Sequence, residues 1–135
     1  MDHNEQRMAR EIAQVASAFQ MQWTGHSPKS VTVVISPDTL VITLHEALSP
    51  AERALASSAA GAAKVQEFHR QLFQNSSSLL REEITRITGR EVRELAAEVE
   101  TASGAVVQAF TTGTLVQVFL LGEGSLPVAS LSAPV

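Results

Sequence analysis

Three features predict an α+β fold: an antiparallel sheet of four or five strands from two hairpins, with an N-terminal helix and a long central helix packed on one face. Apolar residues recur at helical spacing in two long stretches. β-Branched residues gather in short runs separated by turn residues. The order of segments is helix, hairpin, helices, hairpin.

The first stretch, 4–23, carries Met8, Ile12, Val15, Phe19 and Trp23 at intervals of four and three, which stacks them along one helical face. Asp2 and Glu5 offer a capping box. Gly25 can take the left-handed conformation that ends the helix. Arg7, Arg10, Glu11 and Gln14 lie on the opposite, solvated face. Beyond Pro28-Lys29, the runs 31–35 and 40–45 flank Ser36-Pro37-Asp38-Thr39, whose Pro and Asp suit a tight turn. The two-residue period of this hairpin sends Leu40, Ile42 and Leu44 to the core and Val41, Thr43 and His45 to the other face.

Ser49-Pro50-Ala51-Glu52 combines a Ser cap, Pro at the first helical position and Glu three residues after the cap, so a short helix begins at Pro50. It stops within the small-residue stretch 54–63. Val65, Phe68, Leu72, Leu79, Leu80, Ile84 and Ile87 then form one stripe. Its phase is kept across Asn75-Ser76-Ser77-Ser78, which favours a single helix ending at Gly89 over the alternative, a break at the three serines. A second hairpin is expected from 92–100, a Thr101-Ala102-Ser103-Gly104 turn and 105–112, with a fifth strand over 114–121. The domain so defined is 1–121, and 122–135, with Gly, Ser, Pro and Ala and little periodicity, reads as a flexible tail.

At 135 residues the chain can remove roughly 14,000 Å² from water on folding, enough for one sizeable core. Charged residues are 18% and hydrophobic ones 44%, which excludes a disordered-chain composition, and no apolar run reaches the roughly 18 residues of a membrane span. Ten Lys plus Arg against 14 Asp plus Glu give a net charge of -4, without the field that draws a protein onto nucleic acid or anionic lipid. The absence of Cys excludes disulfides, thiolate metal sites and cysteine nucleophiles. The polar start, 1–10, does not resemble an export signal, so a cytoplasmic chain is expected.

The four histidines, His3, His26, His45 and His69, have no paired zinc spacing, and no metal or cofactor is expected. His69, between Glu67 and Arg70, reads as solvated. Glu82 and Glu83 are adjacent on a helix and point apart, against acid-base cooperation. Arg81, Arg86, Arg90 and Arg93 are interleaved with Glu82, Glu83, Glu91 and Glu94, leaving little net positive field for phosphates. No phosphate loop, nucleophile elbow or zinc-protease helix occurs. The loop Gly25-His26-Ser27-Pro28-Lys29 gathers a titratable ring, a hydroxyl and an ammonium between helix and strand. With Arg70 it is the candidate ligand or partner contact. A helix stop followed by an extended residue before Pro explains the same loop structurally.

Four segments together carry a family resemblance: Gly25-His26-Ser27-Pro28-Lys29-Ser30-Val31, Leu48-Ser49-Pro50-Ala51-Glu52-Arg53, Phe68-His69-Arg70-Gln71-Leu72-Phe73 and Ile87-Thr88-Gly89. In order and spacing, over 5–112, the chain resembles the MpsC-like family. The resemblance implies a small soluble protein associated with a Na+-translocating, membrane-potential-generating system, whose membrane partners are also linked to inorganic-carbon uptake. Relatives commonly show Gly-Arg-Gly-Pro where this chain has Gly25-His26-Ser27-Pro28, a titratable ring in place of a permanent cation. No catalytic residue is carried over. The expected function is a non-enzymatic accessory or regulatory protein, a homodimer, reaching the inner face of the membrane through a protein partner without inserting into lipid. The alternative is a small-molecule or anion sensor, or an enzyme, using a cleft near His26, Lys29 and Arg70. A bare sheet face or edge bearing Val31, Val33, Val41, Phe110 and 115–121 is where a second copy is expected.

Overall fold

The structure, a computed structural model, describes residues 3–92, 105–109 and 114–124. Its order is α1 (His3–Thr24), β1 (Ser30–Ile35), β2 (Thr39–His45), α2 (Pro50–Leu55), α3 (Ala59–Thr88), β3 (Arg90–Val92), β4 (Ala105–Ala109) and β5 (Leu115–Gly124). The α+β class and both long helices are as the periodicities require.

Helix α1 ends where Gly25, at φ 77°, donates its N–H to the Met21 carbonyl at 3.0 Å. Its buried line is Ile12, Ala16 and Gln20, flanked by Met8, Val15 and Phe19. The β1–β2 hairpin pairs Val34 with Val41 and Ile35 with Leu40, and Ser36 closes the turn by donating its N–H to the Thr39 carbonyl at 2.7 Å. Leu40, Ile42 and Leu44 are fully buried, as the alternation predicts.

The capping box at α2 forms as the sequence indicates: Ser49 Oγ accepts from the Glu52 N–H, and Glu52 accepts from the Ser49 N–H. The α2–α3 corner is tight. A Cβ at Gly61 would overlap the Leu55 carbonyl oxygen, so the third residue after the Ser58 cap must be glycine. Helix α3 runs unbroken through the serines, because Ser76 Oγ donates to the Leu72 carbonyl (2.6 Å) and Ser77 Oγ to that of Gln74 (3.4 Å), satisfying their hydroxyls within the helix. Gly89, at φ 75°, ends it.

The predicted stripe of α3 is corrected by its orientation. Val65, His69, Phe73, Ser76, Leu80, Ile84 and Ile87 face inward, whereas Phe68 and Leu79 are about half exposed at 48% and 49%. Spacings of four and three are met equally well by this line, which admits a histidine and a serine that an apolar count passes over.

The sheet contains two hairpins, β1–β2 and β4–β5. Its order is β1-β2-β5-β3, with β4 also paired to β5, all antiparallel. β5 is therefore central. β3 meets it at Val92↔Leu121 and β4 at Ala105↔Phe119, so the two run in the same direction along β5. Neither pairs with the other among the described residues. The expected arm 93–100 and its turn, Phe110, and 125–135 of the predicted tail lie outside the described residues, while β5 itself continues past Leu121 to Gly124.

α1 packs over β1, and α3 lies against β3 and β4. The core between helices and sheet joins Ile12 and Ala16 to Leu40, Ile42, Leu44, Phe73, Leu80, Ile84, Leu115 and Phe119. Phe73 and Phe119 meet with ring centroids 5.8 Å apart and tilted. Val31 and Val33 point to this core side, packed against it. The opposite face carries Thr32, Val34, Val41, Thr43, Val116, Val118 and Leu120, with no charged side chain among them. Arg90 ties the far ends together, donating from Nε to the Gly122 carbonyl at 3.0 Å and from its terminal nitrogen to the Pro37 carbonyl.

Candidate functional site

The loop after α1 is held by its own backbone. Thr24 Oγ1 donates to the Gln20 carbonyl (2.7 Å) and accepts from the His26 N–H (3.1 Å). Pro28 is buried, and the Lys29 N–H donates to the His45 carbonyl at 2.8 Å, which feeds the chain into β1. His26 Nε2 donates to the carbonyl of Glu46 at 3.1 Å. Glu46 itself adopts φ 52°, the left-handed region that a side chain disfavours. His26, Ser27 and Lys29 therefore come together in a depression of about 140 Å³ with Glu46, Leu48, Pro50 and Arg53. Arg70 does not line it. Its guanidinium instead bonds Glu67, three residues earlier on α3, at 2.8 Å. Lys29 Nζ lies 3.7 Å from a Glu46 carboxylate oxygen, both well exposed. A ligand in the depression thus meets two cations and one carboxylate, a mixed field rather than an anion cradle.

A second constellation lies beneath α2. Glu52 serves two elements at once: one carboxylate oxygen accepts from the Ser49 N–H at 2.9 Å, and the other accepts from His69 Nε2 at 2.7 Å. His69 is 3% exposed, not solvated as its polar neighbours suggested. Its inward position follows from the spacing Val65-His69-Phe73, and Glu52 supplies the acceptor that makes burial of the ring tolerable. Burial alone pushes the Glu52 carboxyl up. The Ser49 hydrogen bond and the charge and hydrogen bond of His69 act against it, and together they hold the carboxyl below its ordinary value.

Outward, Glu52 lines a groove of about 280 Å³ with Thr24, Ser49, Leu55, Lys64, Val65 and Phe68. Inward, His69 lines an interior cavity of about 20 Å³, the size of a water molecule, with Gln20, Ser76 and Gln117 among its walls and Phe19 and Trp23 beside them. Gln20 and Gln117 are 7% and 5% exposed, and neither amide oxygen has a hydrogen-bond partner among the described residues. This polar interior is not anticipated by the apolar pattern. Its signal was present: Gln117 sits in phase between Leu115 and Phe119, and Gln20 follows Ile12 and Ala16 at steps of four. His45 bonds Thr32 Oγ1 through Nε2 at 3.0 Å across the hairpin. Among the described residues, no three His, Cys, Asp or Glu side chains are grouped to hold a metal ion.

The family model described as "Na+-translocating membrane potential-generating system (MpsC)" matches residues 4–114. The chain belongs to the MpsC family. No curated protein matches it, and no solved structure does. The MpsC match takes in α1 through β4 and stops one residue before β5, so the central strand of the sheet lies outside the matched segment. Both constellations fall within it. No helix among the described residues is long and apolar enough to cross a membrane, so the MpsC name attaches this chain to a membrane system without giving it a spanning helix.

Proposed function

We propose that this MpsC-family protein is a non-enzymatic accessory or regulatory subunit, homodimeric, that contacts a Na+-translocating or inorganic-carbon membrane transport system from the cytoplasmic side through a protein partner. The family match over residues 4–114, with the Na+-translocating system in its description, carries this reading. Two features support protein contact as the mode of action. Where β1, β2 and β5 pair, the outer sheet face carries Val34, Val41, Val116, Val118 and Leu120 beside Thr32 and Thr43, and none of these is charged. The acid-base pair that the fold does bring together, Glu52 and His69, is engaged in holding the α2 cap to α3 rather than left free to act on a substrate.

The alternative, a small-molecule or anion site near His26, Lys29 and Arg70, is less well supported, since Lys29 faces Glu46 and Arg70 bonds Glu67. Affinity purification of the full chain from native membranes, across low to physiological salt, tests the leading reading. Recovery of a polytopic subunit of the Na+-translocating system is expected. Recovery of none at any salt concentration overturns it.

A further inference from the structure

β1 is an edge strand with its outer side open: among the described residues its one sheet neighbour is β2. Edges of this kind are ordinarily blunted by charge, Pro or a bulge. Ser30–Ile35 reads Ser-Val-Thr-Val-Val-Ile, and its register with β2 is unbroken over all six pairs. The hydrogen-bonded Ser36–Thr39 pair sets the phase of the ladder. By alternation, Thr32 and Val34 bond β2, whereas the N–H and C=O groups of Val31, Val33 and Ile35 point away from it. The side chains of those three residues are only partly buried against the core, and Val34 on the outer face is 51% exposed.

We infer that β1 pairs antiparallel with β1 of a second copy of this chain, about a two-fold axis through Val33, to make one sheet continuous across the dimer. Antiparallel pairing of a strand with itself is isologous, so one geometry satisfies both copies. With the axis at Val33, Val33 faces its own equivalent and Val31 faces Ile35. The outward backbone groups of all three then find partners, and their side chains are closed over from the side. The operation also matches charge. Lys29, at the start of β1, comes alongside the Pro37-Asp38 tip that follows β1 in the other copy, and this happens at both ends of the seam. Lys29 and Asp38 are both exposed, and the loose surface contact of Lys29 with Glu46 at 3.7 Å is one that the seam exchanges for Asp38 of the other copy. A parallel pairing would instead set like charges together. Because α1 packs over β1, the two α1 helices come to the same side of the seam and extend the contact beyond the strands. This site rests on the dimer part of the proposed function and not on its membrane partner.

Sedimentation equilibrium and amide exchange on the full chain test it. At roughly 50 micromolar a mass about twice 14.4 kDa is expected, with the Val31, Val33 and Ile35 amides exchanging more slowly as concentration rises. Val33→Pro removes the N–H at the axis, which the β2 ladder does not use, and should yield a monomer. Lys29→Asp, on an exposed residue that does not endanger folding, should weaken the dimer roughly threefold to tenfold, and adding Asp38→Lys should restore it. A monomeric wild type overturns both this inference and the dimer reading. A dimer that survives Val33→Pro and Lys29→Asp unchanged, with the three amides unprotected, overturns the β1 seam while leaving the dimer reading standing.

Discussion

The Glu52 carboxylate joins two stretches of sequence that local pattern treats separately. Ser49-Pro50-Ala51-Glu52 announces a cap, and Val65-His69-Phe73 announces an inward helix line; the 2.7 Å contact between Glu52 and His69 makes each the support of the other. Removing the carboxylate as Glu52→Ala deletes a cap bond and leaves a buried ring without its acceptor, which should cost about 2 kcal/mol at neutral pH. The pH dependence follows from the direction of the shift. Glu52 in the folded chain titrates below the ordinary carboxylate value, so its contribution is fully present above that value and is lost as pH falls through the folded pKa. Thermal unfolding of wild type and Glu52→Gln should therefore differ most near neutrality and converge as pH is lowered below 4.5. A gap that persists at the acid end would show that the carboxylate charge is not what stabilises the pair.

Helix α3 tests how a stripe is oriented. Phe68 and Phe73 are both apolar members of the same helix, yet Phe73 packs on Phe119 in the core while Phe68 is half exposed on the rim of the outer groove. Phe73→Ala should cost about 3–5 kcal/mol by chemical denaturation, and Phe68→Ala less than about 1 kcal/mol. Equal costs would contradict the orientation. The same helix shows what could be read in advance. Its length, its passage through the serines and its Gly89 stop were legible, because helical phase and a left-handed terminus are local properties. Its buried face was not, since an apolar count cannot admit His69 or Ser76, whose acceptors are Glu52 far back in the chain and the Leu72 carbonyl. The β1–β2 hairpin was legible through alternation and its turn. The position of β5 was not, because nothing local states that 115–124 inserts between β2 and β3. In the loop 25–29, the grouping of His26 and Lys29 was visible, but the partnership with Glu46 and Arg53, and the separation from Arg70, depend on how β2 and α2 return to it.

At the scale of the whole molecule, helices cover one side of the sheet, and the other side presents Val34, Val41, Val116, Val118 and Leu120 beside Thr32 and Thr43. Among the described residues β1, β2 and β4 carry no Asp, Glu, Lys or Arg, the charged strand residues being Arg90 and Glu91 of β3 and Glu123 of β5, and β1 leaves an open edge. That distribution suits contact with other polypeptides better than adsorption to anionic lipid. The most direct measurement of its role is the Na+-dependent membrane potential in cells lacking this protein, with and without the wild-type chain restored. A lowered potential that the wild-type chain brings back is expected; an unchanged potential on its loss would contradict the accessory role.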